Sequence, residues 1–516
     1  MIERILTVGG FTLISRLTAF FRDILMAAVL GAGPVNDAFV VAFRLPNHFR
    51  AIFAEGAFNA AFLPAYARVR EQEQVDAARL FADRIFTLLF ASQIVFLALA
   101  LIFTPGVIRL LAPGFETDPG RYALAVTLTR ITFPYLIMMT LVTLYGGILN
   151  ALNRFWAPAA APILLNLTMV ATLALAALFP SAGHAAAWGV LISGCLQVAL
   201  VAGDLAWSDI LPRFRRPRWD KDVSQFFSAL GPAVIGSGSV QLAIFADTII
   251  GSFLPAGALS ALYYADRLNQ LPIGVIGIAA GTVLLPEMAR RIAADDEGGA
   301  RRAQGRAIEF TLLLSMPFVV AFLLFPDLIM RALFARGAFT AADAANAGAT
   351  LAAYTAGLVP FVLIRSVTAT FLARGDTATP VKAALIAIPV NIAFKVALMG
   401  PLAQVGLAAA TSIGAWINFG LVVWFAARRG LIGLDPALAR SIAKLAAAGL
   451  VLGFVTLMAE TPILGLYRGW HRFSVEAAAA TLAALGALVY AGALLALFGP
   501  QWFGAFRRRR TKRPPA

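Results

Sequence analysis

Apolar runs of 18 or more residues recur from one end of this 516-residue chain to the other. Each is long enough to cross a hydrocarbon layer of ~30 Å as a helix. Backbone amides in lipid find no water, so a spanning segment must satisfy its own hydrogen bonds. A helix bundle does this, and the residue-by-residue alternation of a membrane barrel is absent. Only 13% of residues are charged and 60% are hydrophobic, too little polar surface to cover a water-soluble body. The sequence predicts an all-α membrane protein with about fourteen transmembrane helices. The spans fall at roughly 5–30, 36–64, 84–111, 122–149, 158–180, 185–207, 225–253, 260–286, 307–334, 345–373, 381–399, 404–427, 438–459 and 475–498.

Several chemistries drop out early. The single cysteine, Cys195, lies in an apolar run, which excludes a disulfide framework and a thiolate zinc site. His48, His184 and His471 are too scattered for a histidine metal or haem site. No GxxxxGK[ST] motif occurs, so Gly9-Gly10 and Gly31-Ala-Gly33 are not nucleotide loops, and direct ATP coupling has no support. The first run carries Arg16, Arg22 and Asp23. A cleavable signal has an uncharged core, so this run is a true first span.

The net charge of +15 is distributed by loop. Alternate connections hold Arg68, Arg70, Arg79 and Arg84; Arg154; Arg213 to Lys221; Arg290 to Arg306; Arg374 and Lys382; and Arg428 to Lys444. With Arg4 and the tail Arg507–Arg513, that side has 28 of the 42 basic residues. The other side has six: Arg109, Arg121, Arg331, Arg336, Arg468 and Arg472. The positive-inside rule then puts both termini in the cytoplasm, and the basic tail reads as an anchor to anionic lipid rather than a nucleic-acid patch.

The chain also repeats itself. Ile108-Arg-Leu-Leu-Ala-Pro-Gly-Phe returns in looser form at Ile329, Phe62-Leu-Pro64 matches Leu284-Leu-Pro286, Pro134 matches Pro360, and Pro158 matches Pro380. With Arg109 paired to Arg331 in the first match, the offset is 222 to 226 residues each time. Six spans fit in that interval, so two parallel six-helix repeats are expected, with a substrate cavity on the axis between them. The division is a 1–207 N-terminal lobe, a 225–427 C-terminal lobe, two extra C-terminal helices in 438–498 and a basic tail, 499–516.

Ionisable residues inside the spans point to function. A charge at the bilayer centre costs ~2.5–3.5 kcal/mol even on the gentler scale. Yet the first span holds Arg16, Arg22 and Asp23, and the second holds Asp37, Arg44, Arg50 and Glu55. Arg16 and Asp23 are seven apart and share a face, as do Asp37 and Arg44. Arg22, next to Asp23, is expected to face elsewhere. This predicts a wet, arginine-lined cavity held by Asp23 and Asp37, with Tyr263-Tyr-Ala-Asp266-Arg267 facing it from the second half. Guanidinium groups keep their charge and grip phosphate oxygens in pairs, so a phosphate or pyrophosphate is the expected ligand chemistry. Snorkelling or helix-locking is the competing role for each of these charges. It is the favoured one for Arg130, Arg365 and Lys395, which stand alone. Asp247 is a candidate cation ligand, with Asp376 a remoter one.

Ser15-Arg-Leu-Thr-Ala-Phe-Phe-Arg-Asp23, Asp37-Ala-Phe-Val-Val-Ala-Phe-Arg-Leu-Pro-Asn47 and Arg50-Ala-Ile-Phe-Ala-Glu-Gly-Ala-Phe58 closely resemble the MurJ (MviN) family of the MOP exporter superfamily. Tyr263 to Leu268, Leu284-Leu-Pro286 and Arg374-Gly-Asp-Thr-Ala-Thr-Pro380 match as well. The resemblance covers essentially the whole chain. It implies a MATE-like fold in a bacterial inner membrane. It also implies translocation of lipid II, the undecaprenyl-pyrophosphate-linked disaccharide-pentapeptide, to the periplasmic leaflet for peptidoglycan synthesis. The family's cavity residues would be Arg16, Arg22, Asp23, Asp37, Arg50 and Arg267, with Arg22, Asp23 and Arg50 engaging the pyrophosphate. Arg44, Glu55 and Asp266 would be gating or supporting residues. Asp247 resembles a sodium ligand of some members, so Na⁺ is the one candidate coupling ion; no other cofactor is expected. Gln270 stands where some relatives have glutamate.

Alternating access would carry the head group while the polyprenyl tail stays in lipid, in a groove formed with the last two helices. No bond is made or broken, so a transporter is expected rather than an enzyme. Cell-wall synthesis proteins are candidate partners. The alternatives are an exporter of other polyprenyl-linked saccharides or of drugs and cations, a membrane enzyme on polyprenyl phosphates, and a scaffold. A drug exporter should favour acids in its cavity, an enzyme should have clustered carboxylates for Mg²⁺, and a scaffold leaves the buried charges unexplained.

Overall fold

The computed structural model describes residues 2–50, 57–73, 75–216, 218–433, 435–470 and 472–499. Glu55, His471 and the basic tail beyond Gly499 lie outside the described residues, as does the side chain of Arg50. Every regular element among the described residues is helical. Ten stretches are long and apolar enough to cross a membrane. One of the ten, Ala378–Arg428, is two helices: Ala403 has φ 47° and ψ −128°, and the chain reverses there. The return leg packs tightly on the outgoing one, with Gly406 against the Leu398 carbonyl and Asn391 donating to the Ala410 carbonyl at 3.2 Å. The expected spans at 381–399 and 404–427 are the two arms of this hairpin. The expected spans at 5–30, 36–64 and 225–253 are not among the ten.

The chain divides into two compact units. The first, Met1–Ser260 with Arg336–Thr340, contains α1 (Ile2–Leu30), α2 (Pro34–Arg50), α3 (Ala57–Glu73), α4 (Val75–Leu111), α5 (Pro119–Thr132), α6 (Tyr135–Ala151), α7 (Trp156–Ala174), α8 (Ala182–Ala206) and α9 (Lys221–Ser252). α1 packs on α7, α7 on α8, α2 on α5, and α3 on α9. The first unit thus reaches beyond residue 207, because α9 lies against α3 and α4. Hydropathy sorts the helices within it. The most apolar window of α4, mean hydropathy 2.5, is only 17% buried, whereas that of Pro119–Ala151, mean hydropathy 1.6, is 78% buried. The most apolar helix therefore serves as a lipid face, and the more polar one forms the protein core.

A turn contributed by Arg336–Thr340 closes onto the α1–α2 turn. The Ala338 amide donates to the Ala28 carbonyl at 2.7 Å. Gly31 and Gly337 both have positive φ, at 67° and 57°. A Cβ on Gly337 would lie 2.3 Å from the Ala28 carbonyl oxygen, and one on Gly31 would lie 2.6 Å from that of Ala338. Only glycine permits both the left-handed backbone and this approach.

The second unit, Ala261–Ala335 and Ala341–Ala516, holds most of α10 (Ala258–Pro272), then α11 (Ile278–Ala293), α12 (Glu297–Leu324), α13 (Pro326–Phe334), α14 (Ala341–Thr355), α15 (Leu358–Leu372), α16 (the hairpin Ala378–Arg428), α17 (Pro436–Leu466) and α18 (Ser474–Phe498). α17 and α18 pack on each other and on α12. Leu312, Leu358, Val362, Leu445, Leu452 and Tyr490 form one buried cluster there, so the last two helices share a core with α12 and α15.

Gly337→Ala should destabilise the protein by about 1–3 kcal/mol through overpacking, on top of the backbone strain. Thermal unfolding in detergent would read this as a lower apparent melting temperature, whereas an unchanged one would mean the turn yields freely.

Candidate functional site

Arg22 and Asp23 lie in the last three turns of α1 and are 5% and 4% exposed. Arg22 Nε and Nη2 donate to Asp23 Oδ1 at 3.0 and 2.7 Å, and Nη1 donates to Asn166 Oδ1 on α7 at 2.9 Å. Asn166 Nδ2 in turn donates to the Ser15 carbonyl and to Thr18 Oγ1. The expectation that Arg22 faces away from Asp23 is corrected. Their Cβ atoms diverge, but the long arginine side chain curls back onto its neighbour, and burial rewards it for doing so. Arg16 is exposed and does not contribute to this network.

Asp37 is fully buried in the first turn of α2. Its Oδ2 accepts from Arg121 Nη2 at 2.7 Å and from the Gly257 amide at 2.7 Å. Its Oδ1 accepts from the Ser260 amide at 2.8 Å and the Ser260 hydroxyl at 2.6 Å. Arg121, 5% exposed, also reaches the Leu254 carbonyl and lies 3.8 Å over the Phe115 ring. The carboxylate thus joins α2, the start of α5 and the first turn of α10, where it caps exposed amides. The expected sharing of a face by Asp37 and Arg44 gives no ion pair, because seven residues separate them by about 10 Å along the helix. Arg44 is half-buried and donates from Nη1 to Thr248 Oγ1 on α9 at 3.2 Å. Asp247, the residue before Thr248, is also half-buried.

In the second unit Arg267 is exposed, with its guanidinium 4.8 Å from the Tyr263 ring centre. Asp266 accepts from Gln270 Nε2 at 3.3 Å. Lys395 is buried, and Arg365 is exposed. Asp376 is a helix cap. Thr379 gives it an amide at 2.9 Å and a hydroxyl at 2.7 Å, and Arg429 Nη1 lies 2.5 Å away. Among the described residues no cluster of three or more metal-ligand side chains occurs.

Sequence reasoning missed Arg121 and Asn166. Asn166 had a signal, as a lone carboxamide in an apolar run. Arg121 had none, since its position at a span end placed it with the sparse basic residues of one loop side.

The family model for lipid II flippase MurJ matches residues 26–475.

The chain belongs to the MurJ family.

A probable lipid II flippase MurJ of Rhizobium meliloti (strain 1021) is 41% identical over 461 residues, covering 88% of this chain and 85% of that protein. The lipid II flippase MurJ of Burkholderia cenocepacia is 32% identical over 530 residues, 99% of this chain and 100% of that one. Among solved structures, a lipid II flippase MurJ in an inward closed conformation aligns with a TM-score of 0.79 at 23% identity, over 97% of this chain and 99% of that one. A MATE-family multidrug transporter of the MOP superfamily, facing inward, gives 0.65 at 15% identity, over 80% and 94%. The fold of these transporters is therefore that of this chain.

Arg121→Ala should cost about 3–5 kcal/mol, because it strands a buried carboxylate. Placed on an Asp37→Asn background it should cost much less, and a double-mutant cycle by thermal unfolding measures the difference. Additive losses would mean the two groups are not coupled.

The Asp376 carboxyl is held well below the usual carboxylate range, first by the Thr379 hydroxyl, then by the Thr379 amide and Arg429. A depressed carboxyl stabilises the fold above its unfolded-chain value of ~3.9, and that stabilisation is lost as pH falls further towards the folded value. Asp376→Asn should therefore lower the melting temperature at pH 7, with the gap to wild type narrowing below pH ~4. A gap that stays constant with acidification would contradict the role of the charge.

Proposed function

We propose that this protein is a lipid II flippase, carrying the undecaprenyl-pyrophosphate-linked head group from the cytoplasmic to the periplasmic leaflet of the bacterial inner membrane by alternating access. The observation that carries this is the family match over residues 26–475. The match includes Asn166, which binds Arg22 of the Arg22–Asp23 pair just before its start, and the chemistry of that buried network suits an anionic group. Both termini lie in the cytoplasm, on the side of most loop arginines.

The pyrophosphate binds Arg22, Arg50 and Arg267, with Arg16 and Arg44 adding positive potential. Asp23 and Asn166 set the plane of the Arg22 guanidinium before the ligand arrives. Phosphate oxygens then exchange with the Asp23 carboxylate, a substitution of one oxyanion for another that leaves no guanidinium unpaired. Asp37, with its four donors, holds one end of the first unit shut until the lobes rearrange. Glu55 and Asp266 support the gate. Outward movement of each negative charge is favoured by ~2.3 kcal/mol per 100 mV of inside-negative potential. A cation at Asp247 assists the return. The transported lipid leaves unchanged, so the activity is transport and not catalysis.

The second unit offers a place for the tail. A cavity of about 530 Å³ lies among α12, α13, α17 and α18, lined by residues such as Leu313, Phe318, Leu452, Leu482 and Leu494. Its two hydroxyls point inward on the protein: Tyr490 donates to the Leu313 carbonyl at 2.9 Å and Thr456 to the Leu452 carbonyl at 2.7 Å. The lining that remains is apolar and suited to a polyprenyl chain.

The deciding experiment measures lipid II on the outer face of cells whose own flippase can be switched off. Wild type should restore exposure, and Arg22→Ala and Arg267→Ala, at matched membrane levels, should lower it by on the order of tenfold or more. Full exposure with both variants would favour a drug or cation exporter of the same superfamily.

A further inference from the structure

A second cavity of about 530 Å³ lies in the first unit, away from the Arg22 and Asp37 networks. It opens where the end of α3 and the start of α4 meet the extended segment between α8 and α9. That segment is held firmly. The amides of Arg213 and Arg215 donate to Asp83 Oδ1 at 2.8 Å and Thr87 Oγ1 at 3.0 Å, so two side chains of α4 bind it at alternate residues. Between them Phe214 packs on Phe86 and Phe90, with ring centres 4.8 and 5.4 Å away. Further on, Arg84 pairs with Asp220 and Arg68 with Asp222. The cavity walls are therefore fixed by packing rather than by a loose loop.

Three guanidinium groups line this cavity: Arg79, Arg213 and Arg215. Their ion pairs are long. Arg79 stands 3.5 Å and Arg213 3.6 Å from Asp209, and Arg215 stands 3.6 Å from Asp83. Structural pairs elsewhere in the protein close to 2.7–2.9 Å, as at Asp37–Arg121 and Arg68–Asp222, which is the ordinary range for a charge-assisted hydrogen bond. Tyr66 also lines the cavity although it is 3% exposed, and its hydroxyl has no hydrogen-bond partner among the described residues. Burial raises the pKa of that hydroxyl while Arg70 and Arg79 pull the other way, so it remains a donor at neutral pH. Asp209 has a left-handed backbone, φ 51°, and its side chain is 84% exposed. It bridges two arginines from outside without bonding either closely.

We propose that this cavity is a binding site for a phosphate group, held by Arg79, Arg213, Arg215 and the Tyr66 hydroxyl, with the Asp209 carboxylate as the internal competitor that the phosphate displaces. Asp76 and Asp83 also face the cavity. Asp83 is anchored through Oδ1 by the Arg213 amide and yields only its long approach to Arg215, so Asp209 is the carboxylate that gives way. The two sources of such a group are the head group of an anionic phospholipid and a free phosphate from solution. The arginine-rich loop face on which the cavity opens is accessible to both.

The competitor makes the test directional. The full-length protein is titrated in detergent with inorganic phosphate against a chloride control at equal ionic strength, with heat of binding as the readout. In a second arm, nanodiscs of phosphatidylcholine with and without phosphatidylglycerol are compared by native mass spectrometry for retained lipid. Arg79→Ala and Arg213→Ala should weaken binding at least about tenfold, the loss of a charge-assisted hydrogen bond, whereas Asp209→Ala should strengthen it. Arg331→Ala, a surface arginine paired with Asp327 and outside this cavity, should leave it unchanged. That order of variants in the phosphate arm identifies a solution ligand, and the same order in the lipid arm identifies a head group. If Asp209→Ala fails to strengthen binding in either arm, or if the arginine variants bind as wild type does, the site does not exist as described.

Discussion

The buried carboxylate of Asp37 constrains more of this structure than any other group. It is fully withdrawn from solvent and accepts four hydrogen bonds from two other stretches of chain. A carboxylate in such surroundings is tolerable only if its oxygens are saturated. The start of α2, the start of α5 and the first turn of α10 must therefore stay assembled together or come apart together. A half-open arrangement, with the charge still buried and one donor gone, is the least favourable of all. The glycine-lined contact of Gly31 with the 336–340 turn lies beside it in sequence, and adds a backbone fit that tolerates no side chain. Electrostatics and sterics thus enforce the same closed packing at this end of the first unit.

The same rule shapes the rest of the polar interior. Arg22 and Asp23 neutralise each other within one helix, and Asn166 ties the pair to α7. Outside the apolar spans the requirement relaxes, and it is there that arginine–aspartate pairs stand 3.5–3.6 Å apart. Water can complete those shells, so the protein need not, and such pairs contribute little to stability.

The fold was legible in the sequence because lipid leaves the backbone few choices. Long apolar runs could only be helices, and even the break within Ala378–Arg428 was readable, since the expected spans stop at 399 and resume at 404 around the reversal at Ala403. Family membership was legible in the long block from Ser15 to Phe58. Pairings were not. Spacing along one helix compares residues seven apart, whereas Arg121 lies 84 residues from Asp37 and Asn166 lies 144 from Arg22. Such partners are chosen by helix packing, about which periodicity within a single helix says nothing. The assumption that neighbours on a helix face apart also failed at Arg22 and Asp23, because it holds for Cβ directions and not for a side chain as long as arginine.

The two buried aspartates, alike in sequence context, differ in what it takes to release them. Asp23 shares a helix with Arg22, so a change of side-chain rotamers can part that pair without any helix moving. Rotamer changes are fast and cheap compared with the motion of packed helices. Asp37 has every donor on another element, so freeing it requires α2 to separate from α5 and from the 254–260 stretch. The first arrangement can rearrange while the helix that carries it stays in place. Control of a large conformational step suits the second, since its bonds break only when that step occurs. Although both were expected among the cavity residues, the Arg22–Asp23 bond lies within one helix and can open by a change of rotamer, whereas the bonds of Asp37 open only with the elements that carry its donors.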